Sequence, residues 1–204
     1  MIITIGREFS SGGRELGRKI AEELKIPYYD KEILVEISKK TKYSYGYIEH
    51  FGETKPMPLF PVKLGVSFSN EKTDANLALS LDIFEATKAI LTDLAKKGDC
   101  VIIGRAADYI LEEFKPLRIF VYASMEYKIK RCREKGQEDD VSNLTDRQLA
   151  RKIRSIDRKR RDYYEFFSGK DWGDRLNYDL LINTTDLDID SLAKQISGEI
   201  KRKE

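Results

Sequence analysis

The sequence predicts an α/β protein with a three-layer α/β/α architecture, in which helices cover both faces of a five-stranded parallel sheet. Short apolar runs of the kind found in buried parallel strands alternate with longer segments of helical periodicity. Strands that are separated by helices run parallel, and such a sheet needs helices on both faces. The length of 204 residues suits one domain, which we expect to span residues 1–204.

Each predicted strand is a short apolar run. The first (IITI) is rich in β-branched residues, and the third (CVII) is the strongest candidate for a buried strand. The five predicted strands cover residues 2–5, 27–29, 100–103, 117–122 and 178–182. Because ligands bind at the carboxyl ends of strands in open parallel sheets, the residues that follow these runs are candidates for function.

The helical segments carry apolar residues at helical spacing, as Leu16, Ile20 and Leu24 do in the first of them. The predicted helices cover residues 14–24, 31–40, about 44–50, 74–97, the segment after Arg105 to about 113, 125–135, 145–167 and 188–203. Residues 53–73 contain three prolines and are predicted to form a loop or a hairpin.

Composition argues against several classes of protein. Lys and Arg total 37 against 35 Asp and Glu, and a net charge of +2 is unlike that of a general nucleic-acid-binding protein. No basic leader precedes an apolar run, and no apolar stretch approaches the roughly 20 residues that span a bilayer. We therefore expect a cytoplasmic protein, monomeric or homodimeric, without nucleic-acid or membrane partners. Cys100 and Cys132 are expected to be buried, reduced thiols.

A glycine-rich turn at residues 6–17 lies between the first predicted strand and helix. Such a turn exposes backbone N–H groups beside the positive end of a helix dipole, and it therefore favours phosphate binding. The usual motif is GxxxxGK[ST], whereas this chain reads GREFSSGGRE, with one extra residue and no Lys-Ser/Thr pair. The candidate phosphate-binding residues are Gly6, Ser10, Ser11, Gly12, Gly13 and Arg14. The alternative is a tight turn without a ligand.

Two roles that the usual motif assigns to its lysine and hydroxyl group need substitutes in this turn. Arg14 can supply the cation that the lysine normally provides, and Ser10 or Ser11 can supply the hydroxyl group that reaches Mg²⁺.

Two further charged residues follow predicted strands. Arg105 comes just after the strand at 100–103, where its planar guanidinium group could bind a phosphate. The alternative is that Arg105 merely caps or forms an ion pair at the surface. Asp30 follows the second strand, where it could hold a substrate hydroxyl group, orient an arginine, or simply cap its helix.

The predicted helix at 145–167 is rich in arginine. One stripe, spaced 4, 3, 4 and 3 residues apart, lies on a single face and consists of Arg147, Arg151, Arg154, Arg158 and Arg161. Arg160 instead falls within the opposite, apolar face, where a charge is costly unless it is paired or bound to a ligand. The stripe is either a solvated face or part of a lid that surrounds transferring phosphates, with Asp157 orienting the guanidinium groups.

Five segments, in this order, resemble the cytidylate kinase-like family of P-loop proteins over nearly the whole chain. They are GREFSSGGRELGRKIAEELKIPYYDKE, GDCVIIGRAADYILEEF, LRIFVYAS, DRKRRDYY and YDLLINT. The resemblance implies a P-loop kinase fold and transfer of the γ-phosphoryl group of ATP, with Mg²⁺, to CMP or dCMP. Nucleotides would then be the small-molecule partners.

The resemblance also implies roles for single residues. Gly12, Gly13 and Arg14 match the end of the phosphate loop. Asp30, Arg105 and Asp108 would bind the acceptor, within or beside an acceptor-binding excursion at 43–76. A lid-like region at 136–172 would carry Asp157 and Arg160. The catalytic candidates are Arg14, Arg154, Asp157, Arg158 and Arg160.

Three positions depart from the family pattern. Gly13 stands at the lysine position, Glu15 at the threonine position, and Ala106 at the aspartate of the family's GRD segment. Two alternatives to a CMP kinase therefore stay open: a nucleotide-binding regulatory protein without catalysis, and a kinase of another small hydroxylated acceptor.

Overall fold

A computed structural model describes residues 1–51, 71–135 and 143–203. Five strands alternate with helices along these residues, as the sequence predicts. The strands are β1 (Ile2–Arg7), β2 (Tyr28–Tyr29), β3 (Cys100–Ile103), β4 (Leu117–Tyr122) and β5 (Leu180–Asn183). They form one sheet in the order β2-β3-β1-β4-β5, and every neighbouring pair is parallel.

The strand β1 lies at the centre of the sheet. Ile3 is in register with Val101 on β3 and with Leu117 on β4. Because all five strands run in the same direction, the residues that follow β1, β3 and β4 meet at one edge of the sheet. The elements that carry the predicted site residues are therefore brought together by the topology.

Helices cover both faces of the sheet, which confirms the predicted three layers. The helices are α1 (Gly13–Leu24), α2 (Glu32–Lys40), α3 (Tyr45–Phe51), α4 (Glu71–Lys97), α5 (Ala107–Ile110), α6 (Met125–Lys135), α7 (Asp146–Ser168) and α8 (Ile189–Lys203). Side chains alternate along β1, so that Ile3 and Ile5 pack against α1 and α8, while Ile2 packs against α2 and α4.

Several boundaries differ from the sequence prediction. β1 extends two residues further because Gly6 and Arg7 pair with β4. The helix predicted after Arg105 is split into the short α5 and a 3₁₀ helix, Glu112–Phe114. The helix α4 begins three residues earlier than predicted, and most of the loop predicted at 53–73 lies outside the described residues.

The turn between β3 and α5 explains why the helix starts late. Gly104, Arg105 and Ala106 all have left-handed backbone conformations, with φ of 68°, 59° and 51°. A residue with a Cβ atom pays about 1–2 kcal/mol to adopt this conformation, so the surrounding structure must stabilise the turn. Ala106 packs into an aromatic cluster with Phe84 of α4 and with residues of α7.

Two other sequence predictions can be compared with the structure. Cys100 and Cys132 are buried and unbonded to each other, as expected. Over the described ranges, no helix combines the length and apolar character that crossing a bilayer requires.

Candidate phosphate-binding site

The chain between β1 and α1 forms the turn that the sequence predicts. Gly12 immediately precedes the helix and has a φ of 86°, a conformation that favours glycine. Ser11 is fully buried, and its hydroxyl group, which has a single proton to donate, lies within hydrogen-bond distance of the carbonyl oxygens of Glu8 (2.9 Å) and Val121 (3.1 Å). These bonds fasten the turn to the end of β4 and direct the Ser11 hydroxyl group away from any ligand.

A cavity of about 610 Å³ opens beside this turn. Six cationic side chains line it: Arg7, Arg14, Arg18, Arg131, Lys135 and Arg160. Three carboxylates also line it: Glu8, Glu15 and Asp30. Cations outnumber carboxylates two to one, and the start of α1 adds backbone N–H groups and a helix dipole at the same place. The cavity therefore suits a ligand with several negative charges.

Glu15 is held inside this cavity by two residues of α6. Lys135 donates to its carboxylate at 2.8 and 3.0 Å, and Arg131 forms a second ion pair with it. Burial raises the pKa of Glu15, but the bonds from Lys135 and Arg131 outweigh it and keep that pKa below its usual value. Glu15 is thus ionised at neutral pH. Its carboxylate forms ion pairs with two of the cationic side chains that a phosphate would contact.

Arg14 and Asp30 form a second ion pair across the cavity. The Arg14 Nε atom lies 2.5 Å from Asp30 Oδ2, and the Arg14 side chain is about one-third exposed. Asp30 therefore orients an arginine, one of the three roles open to it from the sequence. The pair also links the start of α1 to the end of β2.

A buried lysine holds the turn from below. Lys128 Nζ lies 2.9 Å from a carboxylate oxygen of Glu8 and 3.1 Å from one of Asp157. The other oxygen of Asp157 accepts a hydrogen bond from the backbone N–H of Phe9 at 2.6 Å. Burial raises the pKa of Asp157, and the charge of Lys128 opposes that shift. Asp157 therefore holds the turn in place and does not line the cavity.

Arg160 lies on the cavity side of α7, as its place in the apolar stripe predicts. Its guanidinium group donates to the carbonyl oxygen of Arg7 at 3.3 Å and lies 5.8 Å from the centre of the Phe9 ring. Arg160 lines both the large cavity and a second one of about 20 Å³.

The second, smaller cavity contains the other predicted acceptor-binding residues. Arg105 and Asp108 line it together with Tyr164 and Tyr178. Asp108 is buried and accepts a 2.7 Å hydrogen bond from the Tyr164 hydroxyl group. The structure therefore separates the three residues predicted to bind the acceptor, because Asp30 lies in the large cavity and the other two do not.

The buried carboxyl of Asp108 should make stability depend on pH. Burial raises its pKa, although the hydrogen bond from Tyr164 opposes the shift. A carboxyl whose pKa is raised on folding costs stability once the pH exceeds that pKa. We expect Asp108→Asn to be more stable than the wild type at pH 8, by about 1 kcal/mol. The difference should vanish at pH 3, which urea unfolding at both pH values would test. A loss of stability at pH 8 would contradict this account.

Besides Asp157, two of the predicted catalytic residues do not reach the cavity. Arg154 and Arg158 are exposed on α7 and line neither cavity. Helical spacing correctly places them on one face, but that face is turned to solvent. Their catalytic role stays a prediction, since residues 136–142 of the lid-like region lie outside the described part of the chain.

Sequence reasoning misses the cations contributed by α6. Lys128, Arg131 and Lys135 are spaced three and four residues apart and so share one face of the helix. All three bind carboxylates of the turn or of α1 and α7. The spacing predicts that the three cations share one face of α6. Nothing in the local sequence shows which carboxylates lie opposite that face.

Gly13 has a packing role that explains why lysine is absent. A Cβ atom at this position would lie 2.7 Å from the Cβ of Arg7 and 3.1 Å from the Cβ of Val121. Both neighbouring atoms are attached directly to strand backbone and cannot swing away. The first residue of α1 therefore has to be glycine, and the side chain of Arg7 lies in the space beside it.

The described residues fit a polyanion but do not fit a magnesium ion. Magnesium takes oxygen ligands in octahedral geometry, usually one or two side chains together with phosphate oxygens and waters. Within the described ranges, no group of three or more His, Cys, Asp and Glu side chains forms a metal site of its own. Each carboxylate of the cavity is already ion-paired: Glu8 with Lys128, Glu15 with Lys135 and Arg131, and Asp30 with Arg14. Ser10 is the serine whose side chain can still face the ligand.

Solved structures with the same fold include known kinases. The chain is similar to an uncharacterized protein from Eubacterium ventriosum, with 24% identity, a TM-score of 0.68 and 98% of each chain covered. It is also similar to shikimate kinase from Bacteroides thetaiotaomicron, with 14% identity, a TM-score of 0.58 and 98% of each chain covered. Shikimate kinase from Acinetobacter baumannii, in complex with shikimate, has 16% identity and a TM-score of 0.51, with 100% and 93% covered. These likenesses establish a kinase-like P-loop fold.

The family is shown by the sequence itself. No curated protein matches the chain. The family profile described as the cytidylate kinase-like family, however, matches residues 2–186, which include the turn, both cavities and the helices that line them. The chain therefore belongs to the cytidylate kinase-like family.

Proposed function

We propose that this protein binds a nucleoside triphosphate such as ATP in the large cavity and transfers its terminal phosphoryl group to CMP, dCMP or a related small acceptor. The observation that supports this proposal is the cationic cavity at the turn between β1 and α1, in a chain of the cytidylate kinase-like family. Phosphoryl transfer depends mainly on positioning and on electrostatic stabilisation, and it requires little covalent chemistry from the protein.

The cavity residues divide this work between them. Backbone N–H groups at the start of α1, with Arg131 and Lys135 of α6, would bind the phosphates of the donor. Arg160 would stabilise the charge that develops on the transferring group, because its guanidinium group lines the large cavity beside the turn. Lys128 and Asp157 would keep the turn in position.

The acceptor is the least constrained part of the proposal. Arg105 and Asp108 line a cavity of about 20 Å³, which has room for about one water molecule. The choice between CMP, dCMP and another hydroxylated acceptor would therefore depend on residues 43–76, of which 52–70 lie outside the described residues. Nucleotides are the partners we propose, and the proposal includes no nucleic acid or membrane and a cytoplasmic location.

Two observations favour a second candidate function. Glu15 occupies Arg131 and Lys135 within the cavity, and Gly13 leaves the phosphate loop without its lysine. A protein with these two features could bind a nucleotide as a signal and transfer nothing. Tight nucleotide binding without turnover would favour this regulatory role over the kinase.

A coupled assay with ATP and a panel of nucleoside monophosphates and small hydroxylated acceptors tests the kinase proposal. Turnover with at least one acceptor is expected, and Arg160→Gln should lower kcat by about 100-fold or more. Arg147→Gln, an exposed arginine of the same helix, is the matched control and should change nothing. Absence of turnover with every acceptor would overturn the proposal.

Removing the charge of Glu15 should strengthen nucleotide binding. In Glu15→Gln, Arg131 and Lys135 no longer neutralise a carboxylate and become available to the phosphates of the ligand. We expect ATP to bind about tenfold tighter, equivalent to about 1.4 kcal/mol. Calorimetric titration of both proteins measures the change. Weaker binding by the variant would mean that Glu15 orients these two cations for the ligand instead of competing with it.

A further inference from the structure

We propose that the cavity binds its polyphosphate ligand without a divalent metal ion, and that the guanidinium group of Arg14 takes the place that Mg²⁺ occupies in other P-loop sites. This inference rests on the nucleotide binding in the proposed function and adds the chemical form of the ligand. It follows from three observations about the cavity: the residue at the metal position, the state of the oxygen ligands, and the balance of charge.

The position of Arg14 is the first observation. In GxxxxGK[ST] loops the lysine begins the helix, and the hydroxyl residue after it contacts Mg²⁺. Here α1 begins at Gly13, so that Arg14 is the second helical residue and lines the cavity. The family pattern instead puts Glu15 at the threonine position, and the carboxylate of Glu15 is bound by Lys135 and Arg131. Neither residue therefore offers Mg²⁺ a hydroxyl ligand, and the positive charge of Arg14 repels a second cation.

The state of the oxygen ligands is the second observation. The three carboxylates that line the cavity are Glu8, Glu15 and Asp30, and each forms an ion pair with lysine or arginine at 2.5–2.9 Å. A divalent ion would have to displace those cations before it could bind. The proton of the buried Ser11 hydroxyl group is already directed to the backbone carbonyls of Glu8 and Val121.

The balance of charge is the third observation. Six cationic side chains and three carboxylates line the cavity, so that its described lining residues carry a net positive charge. A polyphosphate that carries its full negative charge complements this net charge. Coordination of Mg²⁺ cancels part of the ligand's charge and should weaken the attraction. The metal-free nucleotide is therefore the better ligand.

Calorimetric titration with ATP tests this inference in the whole protein. ATP is titrated once in the presence of EDTA and once with excess MgCl₂, at matched ionic strength. We expect the Kd in EDTA to be lower by about tenfold. An equal or higher Kd in EDTA, or no binding in either buffer, would overturn the inference.

A substitution at Arg14 tests the mechanism. Arg14→Ser removes the guanidinium group, supplies a hydroxyl group at the metal position and releases the carboxylate of Asp30, both of which are oxygen ligands that suit Mg²⁺. The preference for metal-free ATP should invert, so that ATP binds the variant more tightly with Mg²⁺ than in EDTA. Arg147→Ser, on the exposed face of α7, should retain the wild-type order. An Arg14→Ser protein that still prefers metal-free ATP would show that Arg14 does not replace the metal.

The two proposals can fail separately. Metal-free binding without turnover would overturn phosphoryl transfer and leave this inference standing. Turnover together with a lower Kd for ATP in Mg²⁺ than in EDTA would overturn this inference and support phosphoryl transfer. Because Arg14→Ser leaves the Asp30 side chain, which is 12% exposed, without its cation, the thermal midpoint of unfolding is measured for both proteins to show that the comparison is made on folded protein.

Discussion

Gly13→Lys, which would restore the lysine of the usual phosphate-loop motif, is expected to destabilise the protein by about 3 kcal/mol and to lower nucleotide affinity. The cause is overpacking, because any Cβ atom at position 13 would lie 2.7 Å from that of Arg7 and 3.1 Å from that of Val121. These atoms can move only if β1, β4 or the start of α1 shifts. Such a shift would displace the N–H groups that face the cavity.

Unfolding in urea and calorimetric titration with ATP measure the two effects. Gly13→Ala should show most of the loss of stability, since the Cβ atom alone causes the clash. Gly198→Ala is the matched control, because that glycine lies within α8 with nothing within 4 Å of the added atom. It should gain about 0.5–1 kcal/mol from helix propensity. A stable Gly13→Lys protein with raised affinity would show that the loop has merely lost its lysine.

The second large effect is expected from Lys128→Met. Lys128 is 5% exposed and binds both Glu8 and Asp157. Its removal leaves carboxylates without their cation in a buried place, which typically costs about 3–5 kcal/mol. Because Asp157 also holds the backbone N–H of Phe9, the turn should loosen and ATP affinity should fall as well.

The pH dependence of Lys128→Met identifies the cause of its instability. Lys128 opposes the rise in the pKa of Asp157 that burial produces, so the pKa should rise further in the variant. A raised carboxyl pKa means that stability is lost as the pH rises through it. The deficit relative to the wild type should therefore be largest at pH 7 and smaller at pH 4. A deficit that is the same at both pH values would point to lost packing instead of charge.

Two comparisons complete this test. Lys130→Met, on the exposed face of the same helix, removes the same group and should cost no more than about 0.5 kcal/mol. The double variant Lys128→Met, Asp157→Asn should recover part of the stability, because the introduced amide is neutral and its oxygen can still accept the hydrogen bond from the Phe9 N–H.

Much of the fold can be predicted from the sequence because burial leaves local signals. The apolar runs at 2–5, 100–103 and 117–122 belong to the three strands at the centre of the sheet, and their composition reflects burial on both faces. The sequence places the edge strand β5 two residues too early, since three of its four residues are exposed and its pattern is correspondingly weak. The extension of β1 depends on pairing with β4, which no local pattern shows.

The site is less completely predictable, for a related reason. The local sequence reveals the turn after β1 as a glycine-rich segment. It also reveals Arg160 as a charge on the apolar face of a helix. The partners of Glu15 are 116 and 120 residues away in the sequence, so the cluster that they form exists only after folding. The local sequence around Asp108 does not indicate burial. In the structure Asp108 is buried, and its carboxylate accepts a hydrogen bond from the Tyr164 hydroxyl group on α7.

The left-handed turn at residues 104–106 lines the smaller cavity and connects it to α4, a helix that does not line that cavity. The aromatic cluster that offsets the cost of this turn includes Phe84, which stacks on Phe167 with ring centres 4.1 Å apart. A smaller side chain at position 84 would therefore let Arg105 and Ala106 relax toward ordinary backbone angles. Substitutions in the middle of α4 should thus change ligand affinity as well as stability, and a mutational scan that measured stability alone would misclassify them as purely structural.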